Sequence, residues 1–135
     1  QAVDVDWGAG RALSGGADKS LRLWNLEAGG EPLRVLRGHE RAVTCVSLSW
    51  ASQRALSGGH DQTLRLWNLQ KGGARVMVGH TDAVQCLSVD WGSECALSGS
   101  MDGTLRLWDL SRAETVKVLR ASTGSAPLCL ATDWA

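Results

Sequence analysis

Apolar and polar residues alternate along this chain in short bursts. Val43 to Trp50 places Val46, Leu48 and Trp50 on one side and Cys45, Ser47 and Ser49 on the other, a period of two that fits an extended strand rather than a helix. Ala51 and Ser52 mark a reversal into a second strand, Arg54 to Ser57, and the run GGHDQ from Gly58 to Gln62 has the Gly and Asp of a tight turn. The pattern predicts a third strand over Thr63 to Trp67, a looser link over Asn68 to Gly73, and a fourth strand over Arg75 to Val78. Four short strands in so little chain make one small antiparallel sheet.

The pattern then recurs. Trp7, Trp50, Trp91 and Trp134 follow one another at 43, 41 and 43 residues, while Trp24, Trp67 and Trp108 do so at 43 and 41. A fixed period of this size marks a supersecondary unit used repeatedly, each copy burying its apolar face on the next. The first copy predicts strands over Val3 to Trp7, Arg11 to Ser14, Ser20 to Trp24 and Leu33 to Leu36, with Pro32 ahead of the last. A missing N–H costs least there if that strand is an outer edge. The third copy predicts Val84 to Trp91, Cys95 to Ser98, Thr104 to Trp108 and Thr115 to Leu119. After a loop from Arg120 to Ser125, a fourth copy opens with a strand over Pro127 to Trp134.

A sheet that is apolar on both faces needs cover on both. Sheets stacked face to face around an axis supply it in a β-propeller, where each sheet is a blade and its first strand lines the central channel. The expected fold class is all-β: three four-stranded blades and one extra inner strand, part of a ring. The expected bounds are about 1–37, 38–78 and 79–120, with 121–135 a loop and the inner strand of a further blade.

Composition narrows the field. The chain is 44% apolar and 21% charged, which fits a soluble globular fold. Its 14 Lys and Arg balance 14 Asp and Glu, so no net charge points to nucleic acid or an anionic membrane. No apolar run is long enough to span a membrane, and QAVDVDWGAG lacks the regions of a signal peptide. Cys45, Cys86 and Cys129 share one repeat position, where the first copy has Ala2, and Cys95 stands apart. A small buried residue explains that series, and free thiols suit a reducing intracellular compartment. Neither a CxxC pair nor a Cys/His cluster at zinc spacing occurs, so neither metal nor cofactor is expected.

The second copy carries Gly38, His39, Ser57, Asp61, Trp67 and Asn68, and the third carries Gly79, His80, Ser98, Asp102, Trp108 and Asp109. His to Asp is 22 residues, Ser to Trp is 10 and Asp to Trp is 6 in both. In these residues and spacings the chain resembles the WD-repeat β-propeller family along its whole length. The resemblance implies a buried hydrogen-bonded series in which Asp meets His, His meets Ser, and Ser meets the Trp indole. Buried carboxylates and indole N–H groups need such partners. A catalytic Ser-His-Asp set uses the same residue types, but a set that occurs twice with a Trp attached reads as structural. The first copy has Ser14, Asp18 and Trp24, and its His falls upstream of Gln1. Before the last expected strand, Arg120, Ala121 and Ser122 replace the Gly-His.

Closed propellers use about 4 to 8 blades. Three blades and a strand leave two readings: a window on a longer chain, or a ring completed by a second copy. The His missing ahead of the first copy, and the inner strand of Gln1 to Trp7 repeated as Pro127 to Trp134, favour the window. The fold serves mostly as a platform for protein partners, and neither a phosphate loop nor a distinctive carboxylate pair is present. The expectation is a non-catalytic scaffold or adaptor for protein–protein interaction. The alternatives are a structural subunit of a larger complex and the targeting module of a longer enzyme. The copies differ most at Lys19, Glu40, Arg41, His60, Asp82 and Met101, in loops at one end of the sheets. Those six form either a partner-binding surface or ordinary solvated loops. Arg22, Arg65 and Arg106 recur in the third strand, where packing of the stem is the simpler reading.

Overall fold

The computed structural model describes residues 2–27 and 29–120. Sheet 1 comprises β1 (Ala2–Asp6), β2 (Arg11–Gly15), β3 (Ser20–Asn25) and β4 (Arg34–Arg37). Sheet 2 comprises β5 (Val43–Ser49), β6 (Arg54–Gly59), β7 (Leu64–Asn68) and β8 (Ala74–Met77). Sheet 3 comprises β9 (Val84–Asp90), β10 (Cys95–Ser100), β11 (Thr104–Asp109) and β12 (Glu114–Arg120). Each sheet runs in sequential order with every neighbouring pair antiparallel. No helix of the described residues is long and apolar enough to cross a membrane. The expected strand over 127–134, with Cys129 and Trp134, lies outside the described residues.

The ends of the strands differ from expectation for a physical reason. The second strand of each sheet runs on through glycine, so Gly58 and Gly59 belong to β6 and not to the turn. Gly58 is there because the next sheet comes too close for a side chain. A Cβ on Gly58 would lie 2.6 Å from Val84 Cγ1, and one on Gly15 would lie 2.5 Å from Val43 Cγ1. The turn itself falls one step later. Lys19 and Gln62 hold positive φ there, at 73° and 72°, where sheet 3 has Gly103 at 82°.

Alternation along β5 divides its side chains between two neighbours. Val46, Leu48 and Trp50 pack with Leu13, Leu21, Leu23 and Leu36 of sheet 1, and Trp67 closes that cluster from β7. Cys45, on the other face, joins Leu56, Leu64, Leu66 and Met77 against Val84, Ala96 and Trp108 of sheet 3. Both faces of sheet 2 are therefore covered over β5 to β7, while β8 stays largely exposed, and each fully buried Leu contributes about 1.5–3 kcal/mol.

Inter-sheet contact is concentrated on the first strands, β1 against β5 and β5 against β9, as in a fan held near its pivot. Polar ties repeat with the period of the sequence. The Arg11 guanidinium lies 4.8 Å over the Trp50 ring, and that of Arg54 lies 5.2 Å over Trp91. Arg54 also forms a bidentate pair with Glu94. Arg34 donates to the Gln70 carbonyl at 2.9 Å, and Arg75 to the Ser111 and Arg112 carbonyls at 3.2 and 3.3 Å. Trp50 and Trp91 of this tryptophan series pack against the cores between the sheets, while Trp7 does not. It sits just past β1 on the outward face of sheet 1 and is 81% exposed.

Candidate functional site

Two features stand out once the sheets are in place: a buried polar series in sheets 2 and 3, and a groove formed by loops at one end of those sheets.

In sheet 2 the Trp67 indole N–H donates to Ser57 Oγ at 2.8 Å, and the Ser57 hydroxyl lies 2.6 Å from His39 Nε2. His39 Nδ1 lies 2.8 Å from Asp61 Oδ2. Sheet 3 repeats this with Trp108 to Ser98 at 2.8 Å, Ser98 to His80 at 2.6 Å, and His80 to Asp102 at 3.0 Å. The donor order fixes the tautomer. An indole donates only, so the serine proton goes on to Nε2, and Nδ1 keeps its proton for a carboxylate that accepts only. The other aspartate lone pairs are also used. Asp61 accepts from the N–H and hydroxyl of Thr63 and the N–H of Glu40, while Asp102 accepts the same set from Thr104 and Thr81.

Electrostatics agree with a neutral imidazole facing a charged carboxylate. Burial pushes His39 and His80 below the usual histidine range, and the facing aspartates offset this only in part. Burial alone would raise Asp61 and Asp102, but hydrogen bonds from Thr63 or Thr104, from the backbone and from the histidines outweigh it and hold both carboxyls low. Ser57 and Ser98 are 0% exposed. A nucleophile there would meet no substrate, so this arrangement can brace a sheet and cannot perform acyl transfer.

Sheet 1 keeps part of the series. Trp24 donates to Ser14 Oγ at 2.9 Å, and Asp18 accepts from Ser20 and from Arg22 Nη2 at 3.0 Å. Hydrogen bonds from Ser20, then from Arg22, bring the Asp18 carboxyl down to about 2. The recurring arginine behaves differently elsewhere. Arg65 and Arg106 turn beneath the Gly38 and Gly79 loops, with Nη1 atoms 3.0 and 2.8 Å from where a glycine Cβ would stand. In those two sheets the guanidinium is thus covered by the loop.

The groove lies between sheets 2 and 3 and has a volume of about 380 Å3. Glu40, Arg41, His60, Asp82 and Met101 line it, five of the six loop positions singled out by variation. Lys19 is not among its walls, because it belongs to the turn of sheet 1. Short main-chain bonds hold the walls: His60 N–H donates to Ala42 O and Met101 N–H to Ala83 O, both at 2.9 Å. Asp61, Gln62 and Ala83 also face the groove. Gln62 also varies between copies, standing where the others have Lys19 and Gly103, whereas Asp61, fixed by its partners below, and Ala83 gave no such signal. Two open carboxylates, Glu40 and Asp82, outnumber the single Arg41 guanidinium beside a half-exposed Met101, while the Asp61 carboxylate is 5% exposed and engaged below.

The folded series, the antiparallel blades and the repeat spacing together define a propeller-blade protein that works by presenting surfaces. A family model described as "WD domain, G-beta repeat" matches residues 30–68 and 73–109. The chain belongs to the WD40 repeat family, whose domains serve as protein-interaction scaffolds and are generally non-catalytic. Comparison with curated proteins gives no match. Each matched unit begins at the outer strand of one sheet and ends at the third strand of the next. Sequence repeat and sheet are therefore staggered by one strand.

Proposed function

We propose that the chain is a non-catalytic adaptor, and that the acidic groove between sheets 2 and 3 holds an extended segment of a protein partner through a Lys or Arg side chain. The observation that carries this is the convergence of Glu40 and Asp82 on one groove whose floor is braced by the buried Asp61 and whose rim varies between repeats. A rigid frame loses little entropy on binding, and opposite charge speeds and selects the encounter. Further blades, from a longer chain or from a second copy, complete the ring in this reading. Peptides selected on this protein from a random displayed library should be rich in basic residues. They should bind the Glu40→Lys, Asp82→Lys variant at least tenfold more weakly by fluorescence anisotropy. Equal affinity for both proteins refutes the assignment of the groove.

A second reading, as a structural subunit of a larger complex, draws on the outward face of sheet 1. Val3, Trp7 and Leu26 are 67%, 81% and 46% exposed there, and large apolar side chains gathered on one open face suit contact with another protein.

A further inference from the structure

A second recess lies at the opposite end of sheet 2 from the acidic groove, at the Arg54 end of β6. Its volume is about 320 Å3, and its walls include Arg54, Leu66, Asn68, Ala74 and Arg75. Register explains why these meet. Arg54 stands opposite Asn68 in the β6–β7 ladder, and Leu66 stands opposite Arg75 in the β7–β8 ladder. Leu66 and Asn68 are two apart on β7, so all four side chains leave the same face. That face looks toward sheet 3, where Leu66 packs in the cluster of Val84 and Trp108. Sheet 2 has a sheet on either side, so the recess belongs to a junction between blades and not to a bare face.

The two arginines differ in what they have left to offer. Arg54 is fully engaged: Nε donates to Ser52 Oγ at 3.3 Å, both Nη atoms go to the Glu94 carboxylate, and the guanidinium lies over Trp91. Arg75 is held by carbonyl oxygens alone, those of Ser111 and Arg112 at 3.2 and 3.3 Å. Among the described residues no carboxylate lies within 4.0 Å of it. Carbonyls orient a guanidinium without compensating its charge, and its fork has further N–H donors. Arg75 is thus a cation already fixed in place for a carboxylate. Asn68 adds a second donor. Its Oδ1 accepts the N–H groups of Gln70 and Lys71, both at 3.0 Å, which leaves the amide NH2 for a main-chain carbonyl. Leu66, with Ala74 beside it, supplies the apolar part of the wall. The recess borders β8, the edge strand of sheet 2, which is exposed from Ala74 to Val76, so a chain can enter and leave along it.

We propose that this recess binds an extended acidic segment of a partner protein, in which an apolar side chain rests on Leu66 and the carboxylate of a neighbouring Asp or Glu takes Arg75 as a bidentate partner. Asn68 donates to the main chain of that segment. The ligand is opposite in charge to the one assigned to the loop-end groove, and the two sites lie at opposite ends of β6. Neither site depends on the other being filled.

The test selects random peptides on the 135-residue chain, displayed within a loop so that no free carboxyl terminus is offered. The recovered sequences should include a class that pairs Leu, Ile, Val, Met or Phe with a neighbouring Asp or Glu. One such peptide, acetylated, amidated and labelled with fluorescein, serves as the probe for anisotropy. Arg75→Gln should weaken its binding about tenfold or more. Gly73→Leu, which puts a side chain at the mouth where no atom lies within 4 Å of the Cβ, should weaken it comparably. Replacing the acidic residue of the peptide by its amide should do the same, while Glu40→Lys, Asp82→Lys should leave the Kd unchanged. If Gly73→Leu loses the parent's melting transition, the exposed Arg75→Gln change decides alone. Selection of a basic class without an acidic one overturns this proposal and leaves the groove assignment standing. Unchanged affinity for Arg75→Gln, or for the amide peptide, overturns it as well.

Discussion

Asp102 gathers four hydrogen bonds at the turn between β10 and β11. It accepts from His80, from the Thr81 N–H, and from both donors of Thr104. Asp102→Ala orphans those groups and should cost about 1–3 kcal/mol, read as a lower urea midpoint at unchanged slope. An unchanged midpoint contradicts a structural role. The histidines add a pH dependence. Their folded pKa values lie below the unfolded value near 6.5, so the unfolded chain binds protons first. Stability therefore falls as pH drops below 6.5, by about 1.4 kcal/mol per unit for each histidine, until the folded imidazoles themselves protonate. Asp61 and Asp102, held low, extend the loss below about 3.8. A Tm that stays flat from pH 7 to 5 contradicts the neutral assignment. The four residue types of this series were legible because their spacing occurs twice. The Glu40 and Thr81 N–H groups were not, since a main-chain donor leaves no trace in a sequence.

Between elements, distance is set by what is missing from a side chain. Gly58→Ala puts a methyl 2.6 Å from Val84 Cγ1 and 2.9 Å from Cys45 Sγ, and should destabilise by about 1–3 kcal/mol through overpacking. Gly73→Ala, with nothing within 4 Å, should melt close to the parent. Equal effects from the two would show that sheet spacing is not the constraint. Alternation along β5 sufficed to place its strand and assign its faces, because both periods are two. It could not show that Gly58 continues β6, since glycine before Asp reads locally as a turn and the competing demand comes from Val84, 26 residues away. The same holds for Arg11 over Trp50 and Arg54 over Trp91. Each partner alone looks ordinary, and the pair exists only once the sheets stack.

At the scale of the whole molecule, the stagger between repeat and sheet ties neighbours together. Residues 30–68 take in β4 of sheet 1 and β5 to β7 of sheet 2, so pulling one repeat away disrupts two sheets. The tryptophans report on that stacking unequally. Trp67 and Trp108 are sealed at 1% and 0% exposure, whereas Trp7 stands 81% in solvent. Trp7 is thus a built-in optical gauge: its emission belongs at the red edge of the spectrum and is open to collisional quenching by iodide. Trp7→Phe should remove a quenchable, long-wavelength component of the emission while leaving the light of Trp67 and Trp108 unchanged. Any body that settles on the outward face of sheet 1 should turn the same light bluer and shield it from iodide.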